Sequence, residues 1–77
     1  MLKREDVEIM ETVIAATSSV GIRVQLIQHI DYEKINPRIE WIVSGEVHFR
    51  REGWVQICEE FKFFDGAVGF YNETVSI

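Results

Sequence analysis

The sequence predicts an α+β fold, with an N-terminal helix packed on one face of a four-stranded antiparallel β-meander. Three observations support this prediction. Apolar residues follow a helical period in the first 17 positions, they alternate with polar residues from Gly21 onward, and glycine-containing turns separate the alternating stretches. The 77 residues are enough for one domain, 1–77, and too few for two.

The predicted helix covers residues 3–17. Val7, Met10 and Ile14 recur at i, i+3 and i+7, so a helix would carry them on one face, opposite its charged residues. Acidic residues near the start favour a helix N-terminus, because they interact well with the helix dipole. Gly21 then supplies a stop signal.

The first strand is predicted at 21–30. Its apolar residues alternate with polar ones and are Ile22, Val24 and Leu26. Because the alternation slips at Ile27, a bulge or a strand end is expected there, and a short helix over 25–35 is the competing interpretation. The Asn-Pro pair at 36–37 favours extended or turn geometry in the connection that follows.

The second strand, at 38–50, has the clearest alternation in the chain. Its polar residues occupy the even-numbered positions, interrupted by Ile42. The apolar residues at the odd-numbered positions are Ile39, Trp41, Val43, Val47 and Phe49. A hairpin turn at Ser44-Gly45 would set apolar against polar residues in every pair. The unbroken phase therefore predicts one long strand, bent at Gly45.

Two further turns complete the predicted meander. A three-residue loop at 51–53, with Gly53 in the left-handed conformation, leads to a strand at 54–64. A two-residue turn at Asp65-Gly66 leads to a last strand at 67–76. These registers pair apolar residues on one face, namely Phe49 with Val55, Val47 with Ile57, Val43 with Phe61 and Phe61 with Phe70. We expect the helix to cover that face.

The composition argues against several classes of function. Thirteen acidic residues against eight basic ones give a net charge of −5, which disfavours non-specific binding to a phosphate backbone. No apolar run approaches the roughly 20 residues of a membrane span. A single cysteine is typical of a reducing compartment, so we expect a cytoplasmic protein. The apolar fraction of 47% is high for so small a chain and favours coverage by a second copy.

No catalytic residue, metal site or cofactor is predicted. In the predicted register His48 and Cys58 are diagonal neighbours, on the order of 7–8 Å apart, which exceeds the hydrogen-bond reach of a nucleophile and its base. Glu46 and Glu73 flank Cys58 in that register and disfavour its thiolate. The two histidines and the cysteine do not have the spacing of zinc ligands.

One row of the predicted helix-covered face breaks the apolar pattern. Gly45, Glu59 and Asn72 come level on three strands, where a carboxylate beside a glycine gap would be desolvated. That arrangement predicts a small-molecule pocket, or a minor active site, at Glu59 and Asn72. A bulge at Glu59-Glu60, or an open end of the sheet at which Glu59 reaches water, is the alternative.

The opposite face of the predicted sheet carries the candidate interaction residues. Arg50 lies across from Trp54 as a cation–π pair. The apolar residues that project from this face are Ile42, Trp54, Phe64, Tyr71 and Ile77. Tryptophan, tyrosine and arginine are enriched at binding hot spots, although isolated surface hydrophobes also occur in monomers.

We therefore expect a non-enzymatic protein-interaction module, such as the small inhibitors or adaptors that phages and other mobile elements encode. Its partner would be another protein, a second copy that forms a homodimer through the free face or edge of the sheet, or both. The predicted interface residues are Trp54, Arg50, Arg51, Tyr71, Phe64 and Ile42. Single-stranded nucleic-acid binding at Arg50, Arg51 and Trp54 is a further alternative, against which the acidic residues of the same surface weigh.

Overall fold

The computed structural model describes residues 9–32 and 37–76, which form an antiparallel sheet followed by one helix. The strands are β1 (Ile9–Ser19), β2 (Ile22–Asp31), β3 (Arg38–Phe49) and β4 (Gly53–Phe61), and the helix is α1 (Phe64–Val75). The strand order β1-β2-β3-β4 is that of a meander, so β1 and β4 are the two edges. The α+β class and the antiparallel sheet are confirmed, whereas the order of the elements differs from the prediction.

The predicted N-terminal helix is wrong. Residues 9–17 of the predicted range belong to β1, and residues 3–8 lie outside the described residues. The register with β2 shifts between Val13 and Ala15, so the side chains change phase in mid-strand. Because of this bulge, Val13 and Ala16 lie on the same face of the sheet although they are three residues apart, a spacing that also fits a helix.

The predicted last strand, 67–76, is also wrong, because residues 64–75 form α1. The Asp65-Gly66 pair that resembled a hairpin turn forms the first turn of this helix. The residues that α1 turns toward the sheet recur at helical spacing and include Phe64, Ala67, Tyr71, Thr74 and Val75. Ala67 is fully buried, so the packing of this stripe outweighs the low helix propensity of the glycines in α1.

The two central strands follow the alternation of the sequence. β2 extends through Asp31, which leaves no helix at 25–31, and residues 33–36 lie outside the described part. β3 runs without a turn through Ser44-Gly45. Gly45 has a φ of +146°, and a Cβ added there would lie 2.8 Å from the Val24 Cα and collide with the Arg23 carbonyl oxygen. The close approach of β2 to β3 therefore requires glycine at this position.

The β3–β4 hairpin has the predicted glycine but a different register. Gly53 has a φ of +75°, as a left-handed turn residue should. The observed pairs, however, join Phe49 to Gly53, Val47 to Val55 and Trp41 to Phe61, which is a shift of two residues from the predicted pairing. A shift of two leaves each side chain on its predicted face but gives it a new neighbour across the strands.

The core lies between α1 and the central strands. Its fully or nearly buried apolar residues are Ile22, Val24, Leu26, Val43, Val47 and Ala67. Each buried valine or leucine side chain contributes on the order of 1.5–3 kcal/mol. At one end of the sheet Trp41 meets Phe64 edge-on, and in the middle of the helix the Tyr71 hydroxyl lies 2.5 Å from the Thr17 hydroxyl of β1. These contacts hold α1 across the sheet.

Candidate functional site

The face of the sheet opposite α1 is called the open face here. Because Val24, Val43 and Val47 point toward the helix, the residues between them in the strands point away from it. The open face therefore includes Arg23, Gln25, Ile27 and His29 of β2, Ile42, Ser44, Glu46 and His48 of β3, and Trp54, Gln56, Cys58 and Glu60 of β4. A middle row of this face is uncharged and consists of Gln25, Ser44 and Cys58, and ion pairs lie toward the two ends, between Arg23 and Glu46 and between Arg38 and Glu40.

A group of four side chains at one corner of the open face forms the Trp54 cluster. The Arg23 Cζ lies 4.8 Å from the centroid of the Trp54 ring. The His48 ring meets Trp54 edge-on, at 5.3 Å between centroids and 74° between planes. Arg23 also forms an ion pair with Glu46, at 3.5 Å between Nη1 and Oε1. These neighbours orient the Trp54 ring, and because 44% of the residue is exposed, the ring remains accessible.

The observed register explains why Arg23, and not Arg50, is the cation over Trp54. The Phe49–Gly53 pairing places Trp54 directly opposite His48, and the pairing of β2 with β3 places Arg23 opposite Glu46. Arg23 then reaches diagonally to the ring from two strands away. An exposed cation–π contact contributes about 0.5–1 kcal/mol and an exposed ion pair about 0–1 kcal/mol, so the cluster is oriented by several weak contacts.

The turn beside the Trp54 cluster carries the other candidate arginines. Arg50 and Arg51 directly follow β3, and both are exposed. With Arg23, this corner has three arginines and two glutamates, Glu46 and Glu52, and Arg23 forms the ion pair with Glu46. A chain with a net charge of −5 thus has a locally basic corner around its exposed tryptophan.

An open depression adjoins the cluster on the sheet surface. Its volume is about 290 Å³, and the lining side chains of the open face include Ala16, Ser18, Arg23, Gln25 and Ser44. Most of these side chains are small, and Arg23 belongs to both the depression and the Trp54 cluster. The depression and the Trp54 cluster are therefore continuous at Arg23.

The remaining predicted interface residues are dispersed. Ile42 lies on the open face opposite Ile27 and Glu60 and is half-buried. Phe64 and Tyr71 lie in α1, on the other side of the sheet, where they contact Trp41 and Thr17. Ile77 lies outside the described residues. Of the six predicted interface residues, Trp54, Arg50 and Arg51 lie together at one corner.

The predicted ligand row of Gly45, Glu59 and Asn72 does not form. Gly45 pairs with Ile57, and Glu59 pairs with Val43. Asn72 lies in α1 rather than in a strand, and both Glu59 and Asn72 are exposed. The carboxylate that was expected in a desolvated gap therefore lies at the surface of an edge strand.

His48 and Cys58 are farther apart than the predicted register implied. Cys58 pairs with Ser44, four positions along β3 from His48, which corresponds to about 13 Å. Cys58 is an exposed free thiol. Within residues 9–32 and 37–76, no three His, Cys, Asp or Glu side chains are grouped as metal ligands.

One exposed surface was missed because it was assigned to a helix. β1 exposes Ile9 (54%), Met10 (44%), Val13 (54%) and Ile14 (44%) along an edge of the sheet. The β-branched run Thr12-Val13-Ile14 was the available signal, since such residues favour strands over helices.

Comparison of the chain with protein-family models, with curated proteins and with solved structures gives no match. The helix α1 has 12 residues, and the described part of the chain has no helix long and apolar enough to cross a membrane. The Trp54 cluster is the best-defined site on its geometry.

Proposed function

We propose that this protein is a non-enzymatic protein-interaction module that binds another protein through the Trp54 cluster and the adjoining open face. One observation carries the proposal. Trp54 is oriented by Arg23 and His48, yet 44% of its surface is exposed. A large aromatic ring that is already ordered loses little conformational entropy on binding, and such residues dominate binding energies at interfaces.

The charges at this corner favour a partner segment that carries carboxylates beside an apolar side chain. Arg50 and Arg51 are exposed and available to carboxylates, and Arg forms bidentate bonds with them. The apolar side chain would cover Trp54 or enter the depression beside Arg23. The acidic remainder of the chain would repel other acidic surfaces, so binding would be confined to this corner.

An inhibitor or adaptor of this kind acts by occupying a surface of its partner and needs no reacting group. A cytoplasmic location is part of the proposal, since an exposed free thiol such as Cys58 suits a reducing compartment.

Selection from a displayed random peptide library tests the proposal with defined ligands. We expect the selected peptides to combine acidic residues with an aromatic or aliphatic one. Synthetic copies should bind the Trp54→Ala variant at least tenfold more weakly in fluorescence anisotropy. Phe63→Ala is the matched control, because Phe63 is 77% exposed at the start of α1 and lies outside the open face. Selection of basic peptides, or equal affinity for Trp54→Ala and the wild type, would contradict the proposal.

Single-stranded nucleic-acid binding is a second candidate, favoured by the proximity of two exposed arginines to the Trp54 ring. Bases stack on aromatic rings, and arginines contact phosphates. Fluorescence anisotropy with short oligonucleotides at low salt measures this directly. A true site would show an affinity that falls steeply as salt rises and that is lost in Trp54→Ala. Failure of every oligonucleotide to bind at low salt excludes it.

A further inference from the structure

The outer edge of β1 is a second surface with the properties of a binding site. β1 is the first strand of the sheet and pairs with β2 alone among the described strands. It has 11 residues, of which nine are exposed. The backbone groups along such an edge are a template for pairing with another strand.

The composition of β1 lacks the usual protection of an edge strand. Natural edges are guarded by lysine, proline, inward-pointing charges or bulges, and of these β1 has the bulge between Val13 and Ala15. β1 contains neither lysine nor proline, and its single charged residue is Glu11, whose Oε2 lies 3.7 Å from Nδ1 of His29 on β2. Exposed aliphatic residues lie on both sides of the strand, with Val13 on the open face and Met10 on the helix side.

We propose that β1 pairs with β1 of a second copy, antiparallel across a two-fold axis, to form a dimer with one continuous eight-stranded sheet. This proposal does not depend on the function proposed for the Trp54 cluster. It uses a different surface at the opposite edge of the sheet.

The bulge in β1 restricts where the two-fold axis can lie. Before the register shift the odd-numbered residues of β1 point to the open face, and after it the even-numbered residues do. In a symmetric antiparallel pair, the part of β1 before the shift lies opposite the part after the shift in the second copy. Residues that face each other then point to the same side of the sheet only if the two-fold axis lies beside Ile14. With the axis between Ile14 and Ala15, Thr12 faces Thr17 of the second copy, and Val13 faces Ala16 of the second copy. Threonine pairs and aliphatic pairs of this kind stabilise antiparallel sheets.

Charge favours a second copy as the occupant. With the axis between Ile14 and Ala15, Glu11 faces Ser18 of the second copy, so the one charged residue of β1 never meets its own equivalent. Residues 12–19 carry no charge at all. The other edge differs, because pairing through β4 would add Glu59 and Glu60 from each chain to a protein that is already acidic. A head-to-tail β1–β4 contact would also leave free edges and build open filaments instead of a closed dimer.

The proposed dimer places both Trp54 clusters on the same side of the continuous sheet. Because β4 is the outermost strand of each half, seven strand spacings separate the two β4 strands, on the order of 34 Å. A partner with two suitably spaced segments could then bind both clusters at once and gain affinity by multivalency.

Sedimentation equilibrium of the full chain tests the dimer. The wild type should have twice the 9.0 kDa mass of one chain. Val13→Lys should raise the dimer dissociation constant at least tenfold, because lysine guards an edge strand. Val55→Lys is the matched control, as Val55 is a 36% exposed valine of the β4 edge, and this variant should remain dimeric. A monomeric wild type, an unchanged Val13→Lys, or equal dissociation of Val55→Lys would overturn the proposal.

Disulfide cross-linking provides a second test, which applies even if Val13→Lys fails to fold. In a Cys58→Ser background, Ile14→Cys places one thiol beside the two-fold axis, so mild oxidation should give a covalent dimer. Val55→Cys in the same background should stay monomeric on a denaturing gel. Equal cross-linking of the two variants would indicate random collision and would contradict pairing through β1. The dimer is tested by mass and cross-linking, and the protein-interaction function is tested by peptide binding at Trp54. Failure of one proposal is therefore distinguishable from failure of the other.

Discussion

The two edges of this sheet are built differently, although both are exposed strands of one small domain. β1 has 11 residues with one charge and a row of exposed aliphatic side chains. β4 has nine residues, includes Glu59 and Glu60, and presents Trp54 with its ordered neighbours. α1 follows β4 directly and packs near it, whereas its one side-chain hydrogen bond to β1 in the described part joins Tyr71 to Thr17. An edge with a single charge suits backbone pairing, and a more highly charged edge with an ordered aromatic ring suits side-chain recognition.

Both edges depend on the central β2–β3 pair, so the largest effect should come from Gly45. Gly45→Ala would drive a Cβ to 2.8 Å from the Val24 Cα and into the Arg23 carbonyl oxygen, at a positive φ that disfavours side chains. We expect a loss of about 3–5 kcal/mol in the free energy of unfolding, which is most of the stability of a small domain. Urea denaturation followed by circular dichroism measures it.

Gly69→Ala is the matched control for that experiment. Gly69 lies in α1 and is exposed, and an added Cβ would have no neighbour within 4 Å. Alanine is favoured over glycine in a helix by up to about 1 kcal/mol, so this variant should be as stable as the wild type or more so. If the two alanine variants had equal stabilities, the close approach of β2 and β3 at Gly45 would be wrong.

The attachment of β1 to the rest of the domain should be the next largest effect. Tyr71→Phe and Thr17→Val each remove one of the two hydroxyls, and either change breaks the hydrogen bond that joins α1 to β1. Each should cost about 0.5–1.5 kcal/mol, and the double variant should cost little more than either, because the two hydroxyls serve one hydrogen bond. Thermal denaturation of the four proteins in the cycle gives the coupling energy.

Hydrogen exchange shows where this loss of stability falls. In Tyr71→Phe the amides of β1 should exchange faster than in the wild type, while those of β4 should be unchanged, since β4 has its own contacts with α1 through Phe61 and Phe70. Uniform acceleration in both strands would mean that the two edges are not independently attached.

The parts of the fold that the sequence predicted are those in which local pattern and tertiary structure agree. β2 alternates from Ile22 to Leu26, and β3 alternates with one interruption at Ile42, because Val24, Val43 and Val47 all face one core. β1 was misassigned because its bulge produces a helix-like step, and the shift that identifies a bulge depends on the partner strand.

The C-terminal helix was missed for a related reason. Asp65-Gly66 is a strong local turn signal, and Phe61, Phe63, Val68 and Phe70 can be read as paired strand residues. What decides for a helix is the burial of Ala67 and Thr74 against the sheet, which is a tertiary contact. The same limit applies to the site. The exposure of Trp54 beside the arginines of the turn was predictable, whereas the contact of its ring with Arg23 required the register of three strands.

The smallest effect on stability should come from the contacts of the Trp54 cluster on the β4 side of the sheet. Arg23→Ala removes both the contact with the Trp54 ring and the ion pair with Glu46, and it should reduce the free energy of unfolding by about 0.5–1 kcal/mol. Arg50→Ala makes the same charge change at the same corner and should alter stability by less than about 0.5 kcal/mol. Fluorescence of Trp54 in a Trp41→Phe background should shift in Arg23→Ala and stay constant in Arg50→Ala. Identical behaviour of the two variants would mean that Arg23 does not hold the Trp54 ring. The ring would then lose conformational entropy on binding, and the β4 edge would be no better suited to side-chain recognition than the aliphatic surface of β1.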